Sequence, residues 1–380
     1  MRRWWKRVTL GLLAAFLLLG VGLGCTSPGR AAVKALLFVP QILPNAPVRP
    51  QEWFLGEPSR QEVRFPLGSR DGVGDLYLPA RGGRHAGVVL FLGVNPAGRD
   101  DPRVINLGKG LARSGMAVLV PWSAPMAEKR VEPQEVDLLV GAFSYLRGLA
   151  QVDPARVGLG GFCVGASFAV LAAEDVRIRD AVAFVNFFGG YYDAEDLLVA
   201  IASRRRFYDS QVEPWEPDRL TSEVFTRHLI ESVGREEERR LLEQLFLEGR
   251  SADGFDAASL SEEAKLVHQL LSGVTLEEAR RLAGALPPRF REGLQRISPR
   301  TRIQDLKAPV LIMADREDAL VPAAESRRLA DALRPRGGVY QTEFSLFRHM
   351  DPTRRVSPPV FVKEVWKLLL HMYRIMRWAT

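Results

Sequence analysis

The sequence has few residues that could support redox, metal or disulfide chemistry. Cys25 and Cys163 are its two cysteines, which is too few for a disulfide framework. The five histidines are scattered along the chain, and no glycine-rich stretch has the spacing of a phosphate-binding loop. We therefore expect no metal ion and no cofactor.

Acidic residues are missing from the first 50 positions, which hold seven lysines and arginines. The other 45 basic residues balance the 45 acidic residues of the chain. The net charge of +7 therefore belongs to the amino-terminal segment. A neutral remainder gives no reason to expect a nucleic-acid partner.

An uncharged run over residues 8–24 follows the basic, tryptophan-containing residues 1–7. Its length and flanks predict a membrane anchor that places the rest of the chain outside the cytoplasm. Cys25 closes a stretch that resembles a lipoprotein cleavage site, so a cleaved signal is an alternative, as is a cytoplasmic chain. Residues 31–43 form a second apolar patch that lies along the bilayer or against the domain.

Apolar strands alternate with amphipathic helices over most of the chain. Residues 62–67 and 73–79 predict an antiparallel hairpin, and continuous apolar runs beyond it predict buried strands. This alternation indicates an α/β fold, with a mostly parallel sheet and helices on both faces. The predicted strands cover residues 88–92, 116–120, 157–160, 181–187, 310–314 and 338–346, and the predicted helices 103–114, 133–149, 323–333 and 359–376.

The alternation stops over residues 193–297, where the only patterns are helical. A structureless loop of that length is uncommon inside a compact domain, so we expect a helical cap inserted into the sheet domain. The predicted organisation is an anchor and linker over residues 1–50, a core in two parts over 51–192 and 298–380, and the cap between them.

Residues 161–165 read Gly-Phe-Cys-Val-Gly and follow a short apolar run. This is the strand, sharp turn and helix spacing of a nucleophile elbow, with cysteine in place of the commoner serine. The glycines leave room for a strained turn, and the first amides of the following helix favour a thiolate at Cys163. A buried cysteine that serves only as a small apolar residue is the alternative.

A thiol nucleophile needs a base, and the base needs an acid that orients it. His349 is the histidine that lies between the last predicted strand and the last predicted helix, so it is the candidate base. The loop after residues 310–314 offers three acids, and its turn into the next helix favours Asp318. We expect Asp315 and Glu317 to be solvated.

The candidate oxyanion hole consists of backbone N–H groups from two loops. One is that of Val164, next to the nucleophile, and the other comes from residues 93–95, which include Val94 and Asn95. The side chain of Asn95 is interpreted as a turn former. Aromatic residues near strand ends could line an apolar pocket or serve only in packing: Trp122, Tyr191, Tyr192 and Phe207.

These motifs together resemble the dienelactone hydrolase family of α/β-hydrolases. The resemblance rests on residues 152–158 leading into the elbow, on 308–313, on 318–322 and on the His349 loop, and it extends over residues 60–192 and 298–375. It implies an α/β-hydrolase fold with a triad of Cys163, His349 and Asp318. The chain departs from the family in lacking a glutamate at residues 91–94 and in having a much larger cap.

Three functions follow from this pattern. The first is hydrolysis of an ester, lactone or thioester of a small molecule through an acyl-enzyme on Cys163. The second is a scaffold without catalysis that binds a ligand or a partner. The third is acyl transfer to an acceptor other than water at a membrane face.

Overall fold

The computed structural model describes residues 24, 26–44, 46–95, 97–250 and 255–380. Nearly all of the predicted membrane segment over residues 8–24, together with Cys25, therefore lies outside the described residues. In the described part of the chain, no helix combines the length and apolar character needed to cross a membrane.

A central sheet organises the chain. Within the described residues it has eight strands in the order β1-β2-β4-β3-β5-β6-β9-β10, and a separate hairpin joins β7 to β8. The first three strands of that order pair antiparallel and the others parallel. The strands are β1 Ser59–Leu67, β2 Arg70–Leu78, β3 His85–Phe91, β4 Met116–Pro121, β5 Val152–Phe162, β6 Val185–Phe188, β7 Arg205–Tyr208, β8 Gln211–Pro214, β9 Val310–Asp315 and β10 Val339–Phe344.

Helices cover both faces of the sheet and form the cap, which confirms the predicted α/β-hydrolase fold. Glu135–Gly148 and Val164–Glu174 pack on one face, and Ser27–Ile42, Pro102–Arg113 and Pro358–Met376 on the other. The helices are α1 Ser27–Ile42, α2 Pro50–Phe54, α3 Pro102–Arg113, α4 Ala124–Ala127, α5 Glu135–Gly148, α6 Val164–Glu174, α7 Ala194–Ser203, α8 Arg219–Ser232, α9 Glu236–Phe246, α10 Glu262–Ser272, α11 Leu276–Ala285, α12 Pro288–Arg296, α13 Ala323–Leu333 and α14 Pro358–Met376.

The folded part begins well before Gln51, where the linker was expected to end. Helix α1 buries Ala31, Ala35 and Phe38 in the second core, because their spacing of four and three residues places them on one side of the helix. The side chain of Lys34 also donates to the carbonyl of Ala379. Of the two positions expected for residues 31–43, the structure shows the one against the domain.

The inserted segment is mostly helical, as its pattern predicts, and consists chiefly of α7 to α12. The β7–β8 hairpin is the exception, and β8 is fully exposed. An exposed hairpin has no continuous apolar run, so the sequence gave no signal for it. Arg204 ends α7 in a left-handed conformation, and Arg206 lies in the hairpin, paired with Glu213, so the arginine run is not a helix face.

Candidate active site

Cys163 occupies the turn between β5 and α6. Its backbone has φ 54° and ψ −140°, a strained conformation for a residue with a side chain. The glycines around it are required by space: a Cβ on Gly161 would lie 2.2 Å from the carbonyl oxygen of Gly165, and one on Gly165 would lie 2.5 Å from the amide nitrogen of Gly93. The close approach of these backbones sets the shape of the elbow.

His349 and Asp318 meet at the carboxyl ends of β9 and β10. The imidazole Nδ1 lies 2.7 Å from Oδ2 of Asp318, and both side chains are buried. The other carboxylate oxygen, Oδ1, accepts the backbone N–H groups of Leu320 at 2.8 Å and Val321 at 3.1 Å. These bonds fix the carboxylate, and the carboxylate fixes the ring of His349.

The second ring nitrogen of His349 faces the nucleophile. Its Nε2 is buried and forms no hydrogen bond of normal geometry with any described residue. Burial alone would lower the pKa of His349, but the Asp318 carboxylate and the Cys163 sulfur raise it well above 6.5. The Asp318–His349 pair therefore supports an imidazolium beside a thiolate.

Asp315 differs from its expected solvated position. It is the last residue of β9 and is completely buried, and its Oδ2 accepts the backbone N–H of His349 at 3.1 Å and a guanidinium N–H of Arg354 at 2.7 Å. His349 has φ 58°, so Asp315 and Arg354 hold a strained loop in place. Glu317 is exposed, as expected, and pairs with Arg206.

A cavity of about 100 Å³ lies above the nucleophile, and Cys163, Val164 and Val94 all line it. The amides of Val94 and Val164 donate no hydrogen bond to another segment of the described chain. They are thus free to bind an oxyanion, in agreement with the predicted roles. Asn95 makes a turn instead, because its Nδ2 donates to the carbonyl of Gly98 at 3.2 Å.

The cap forms an apolar roof over this cavity. Leu197 and Ile201 of α7, Val224 and Phe225 of α8, and Ile297 contribute to its wall. Among the described residues, no lysine, arginine or carboxylate lines it. A substrate with a charged acyl group would find no counter-ion here, whereas an uncharged apolar acyl group would be shielded from water.

The cap is bonded directly to the loop that carries the acid. The indole N–H of Trp215 donates to the carbonyl of Asp318 at 2.7 Å. The backbone N–H of Asp218 donates to Ala319 at 2.7 Å, and the hydroxyl of Thr221 donates to the carbonyl of Leu320 at 2.9 Å. The first residues of the cap thereby fix the backbone on both sides of the carboxylate.

Tyr191 is the one of the four candidate aromatic residues that lines the nucleophile cavity. Its hydroxyl is buried and has no hydrogen-bond partner among the described residues, and burial, reinforced by the charge of Cys163, raises its pKa. Two hydrogen bonds to Ser167 of α6 fix its backbone. Trp122 instead donates to Asp75, and Phe207 lies beneath the guanidinium of Arg328.

His228 is a cavity residue that the sequence did not indicate. It belongs to α8, lines the wall opposite the sheet and packs against Phe290 with ring centroids 5.9 Å apart. Burial lowers its pKa, so it faces the cavity as a neutral imidazole. In the described part of the chain, no group of three His, Cys, Asp or Glu side chains is arranged to hold a metal ion.

With this geometry in view, the comparisons with known proteins are specific about one segment. Residues 122–203 match the dienelactone hydrolase family. The matched segment contains the elbow, Tyr191 and the first helix of the cap. The match to this hydrolase family, together with the fold, supports an ester-cleaving hydrolase, as expected from the sequence. No curated protein shows a significant match to the chain.

Solved structures with a similar arrangement are distant in sequence. An acylaminoacyl peptidase from Pyrococcus horikoshii is 16% identical with a TM-score of 0.48, and the match covers 80% of this chain but 40% of the peptidase. An esterase from Pyrobaculum calidifontis is 14% identical with a TM-score of 0.47, and 91% of each chain is covered. This chain therefore spans less than half the length of the peptidase.

Proposed function

We propose that the protein hydrolyses uncharged carboxylic esters, lactones or thioesters that have a short apolar acyl group. The observation that carries the proposal is the position of Cys163, at a strained elbow, beneath an apolar cavity and beside an imidazole that is oriented by a buried carboxylate. The family match over residues 122–203 supports the same reaction class.

In the proposed reaction, the thiolate of Cys163 attacks the carbonyl carbon and the carbonyl oxygen becomes an oxyanion. The amides of Val94 and Val164 stabilise that charge. The C–O or C–S bond of the substrate then breaks, and the leaving group takes the proton from Nε2 of His349. In the second half, His349 takes a proton from water, the resulting hydroxide attacks the thioester, and the acid and the Cys163 thiol are released.

The size of the cavity sets the acyl group. An apolar cavity of about 150 Å³ holds a benzene ring, so the cavity of about 100 Å³ suits an acyl chain of a few carbons. The wall has no cation among the described residues, so a substrate that bears a carboxylate on its acyl part, as some lactones do, is not favoured.

The test is hydrolysis of p-nitrophenyl butyrate combined with intact-mass analysis of the protein. The wild type should release nitrophenol and gain transiently the mass of one butyryl group, and Cys163→Ala should do neither. Cys25→Ala is the matched control, because it removes the other thiol of the chain and should keep both properties. Release of nitrophenol without any adduct at Cys163 would refute the thiol mechanism.

The same experiment separates the two alternatives. A scaffold that only binds its ligand would show no release and no adduct with either variant. An acyltransferase would form the adduct, and added long-chain alcohol would divert the acyl group into a new ester instead of free butyrate. Product analysis with and without the alcohol therefore distinguishes transfer from hydrolysis.

We further propose that the domain is held at a membrane and lies outside the cytoplasm. The uncharged run over residues 8–24 and the basic residues before it support this location. The full chain should sediment with membranes and require detergent for release, whereas a variant without residues 1–25 should not. Cys25→Ala should release the chain only if the attachment is a lipid on that cysteine.

A further inference from the structure

A second and larger cavity lies on the face of the sheet opposite the cap. Its volume is about 590 Å³, and α1, α3 and α14 enclose it against the strands. Glycine at position 160 creates part of this space, since a Cβ there would meet the flexible side chain of Leu90 at 3.2 Å and no backbone atom within 4 Å. No turn requires this glycine, and a glycine inside a strand often marks a place where a ligand approaches the backbone.

The cavity is long in the direction of the strands. Val88, Leu90, Leu92 and Val94 line it at every second position, and at about 3.3 Å per residue this row extends over about 20 Å. Val94 also lines the nucleophile cavity, so the upper end lies beside the active site. An apolar channel of this shape suits an extended alkyl chain better than a compact ring system.

One buried polar atom gives the cavity a chemical preference. Gln41 of α1 lines it and is 1% exposed. Its Nε2 donates to Oδ1 of Asn106 at 2.6 Å and to Oε1 of Glu52 at 2.9 Å. Both partners are acceptors, which fixes the orientation of the amide. The Oε1 atom of Gln41 is left without a donor among the described residues, and a buried acceptor of this kind is unfavourable until a donor reaches it.

We propose that this cavity binds an uncharged single-chain amphiphile, a long-chain alcohol or a monoacylglycerol. The alkyl chain lies along the second face of the sheet, and the hydroxyl donates to Oε1 of Gln41. A carboxylate head is disfavoured at the same position, because it has no proton to donate and would face the acidic Glu52. The site is separate from Cys163, so binding does not depend on the proposed hydrolysis.

The experiment is a calorimetric titration of the full chain carrying Cys163→Ala, which removes any turnover. The probes are dodecanol and dodecanoate, both below their aggregation concentrations. Dodecanol should bind with one molecule per chain, and dodecanoate at least tenfold more weakly. Absence of dodecanol binding, or equal affinity for the two probes, would overturn the proposal.

Two substitutions then locate the ligand. Leu107→Trp places a ring in the cavity from α3 and should weaken dodecanol binding at least tenfold, and Leu107→Phe replaces it if the larger side chain prevents folding. Gln41→Met should remove the preference for dodecanol. The matched control is Gln51→Met, because Gln51 is also buried with a free Oε1 but does not line this cavity. Binding that survives both Leu107 variants, or that weakens equally in the two glutamine variants, would show that dodecanol does not occupy this site.

Discussion

Oδ2 of Asp315 accepts the backbone N–H of His349 at 3.1 Å, so the last residue of one strand holds the loop that follows the neighbouring strand. The same oxygen accepts Arg354. Asp315 does not touch the imidazole ring, and we therefore treat it as a positioning residue. Its effect on catalysis would pass through the position of the His349 backbone.

Asp315→Asn should lower kcat while leaving KM nearly unchanged. An amide can retain only part of the paired contacts, and a small displacement of a catalytic group can reduce the rate by up to about 100-fold. Steady-state kinetics on p-nitrophenyl butyrate measure the effect. Glu317→Gln, an exposed change in the same loop, is the control and should leave kcat intact. Equal losses in the two variants, or a loss confined to KM, would contradict the positioning role.

Asp318→Asn should reduce kcat by about 10⁴-fold, the loss that follows when a triad acid becomes an amide. It should also change the pH profile. Because the Asp318 carboxylate raises the pKa of His349, the wild type keeps its imidazolium until the pH is well above 6.5. Without that anion the imidazolium is lost at lower pH, so the alkaline limb of kcat/KM should move down. A profile that keeps its position would argue against an imidazolium in the active form.

Tyr191→Phe tests whether the unpaired hydroxyl contributes to the reaction. Loss of one donor to an oxyanion costs about 10² to 10³ in kcat, and we expect the lower figure here because Val94 and Val164 remain. Tyr192→Phe is the neighbouring control, since Tyr192 does not line the cavity. If the hydroxyl serves only packing, Tyr191→Phe should keep kcat and should even raise the melting temperature, because a buried unpaired polar group has been removed.

The chain-length preference should respond to the cap. Wild-type activity should be higher on p-nitrophenyl butyrate than on the dodecanoate, and Val224→Phe, which narrows the cavity from α8, should favour the acetate over the hexanoate by about tenfold, since a lost methylene contact is worth about 1 kcal/mol. Val212→Phe is a matched change at a half-exposed hairpin position and should leave the preference unaltered. An unchanged preference in Val224→Phe would place the acyl group elsewhere.

Glu174 supplies a stability prediction that is independent of the reaction. Both of its carboxylate oxygens are buried without a partner among the described residues, and burial raises its pKa to about 9. The stabilising, protonated form is fully present below the unfolded pKa of about 4.5, and its contribution is lost as the pH rises towards 9. Each pH unit in that window costs about 1.4 kcal/mol, so Glu174→Gln should gain about 3 kcal/mol at pH 7 and little at pH 4.5.

Urea denaturation at the two pH values measures this gain. Glu325→Gln is the control, because the buried Glu325 carboxylate accepts the N–H groups of Tyr192 and Asp193 and pairs with Arg328. That variant should lose stability. A Glu174→Gln protein with the same pH dependence as the wild type would show that the charge of Glu174 is compensated.

The sequence predicted those parts of the molecule that local pattern determines. Buried parallel strands are continuous apolar runs, and the elbow is a pentapeptide with two glycines, so both were found directly. Cys163, His349 and Asp318 could be proposed because each follows a predicted strand, and the carboxyl ends of parallel strands meet at one edge of the sheet.

Features that depend on distant contacts were not predicted. The sequence showed Asp315 only as one of three acids in a polar loop, and its burial depends on Arg354 and on the His349 backbone, 39 and 34 residues away. His228 reaches the cavity because the cap folds back over the sheet. The free hydroxyl of Tyr191 and the free amide oxygen of Gln41 are visible only when the surroundings of each atom are known.

The three hydrogen bonds from Trp215, Asp218 and Thr221 to residues 318–320 have a mechanical consequence for substrate access. If the roof lifted as a rigid unit, it would pull on the backbone of Asp318 and disturb the ring of His349. Movement that admits an ester must therefore occur in the helices farther along the roof, with the stretch around Trp215 serving as a fixed hinge. Loading a substrate and keeping the triad aligned are thus assigned to opposite ends of the same insertion.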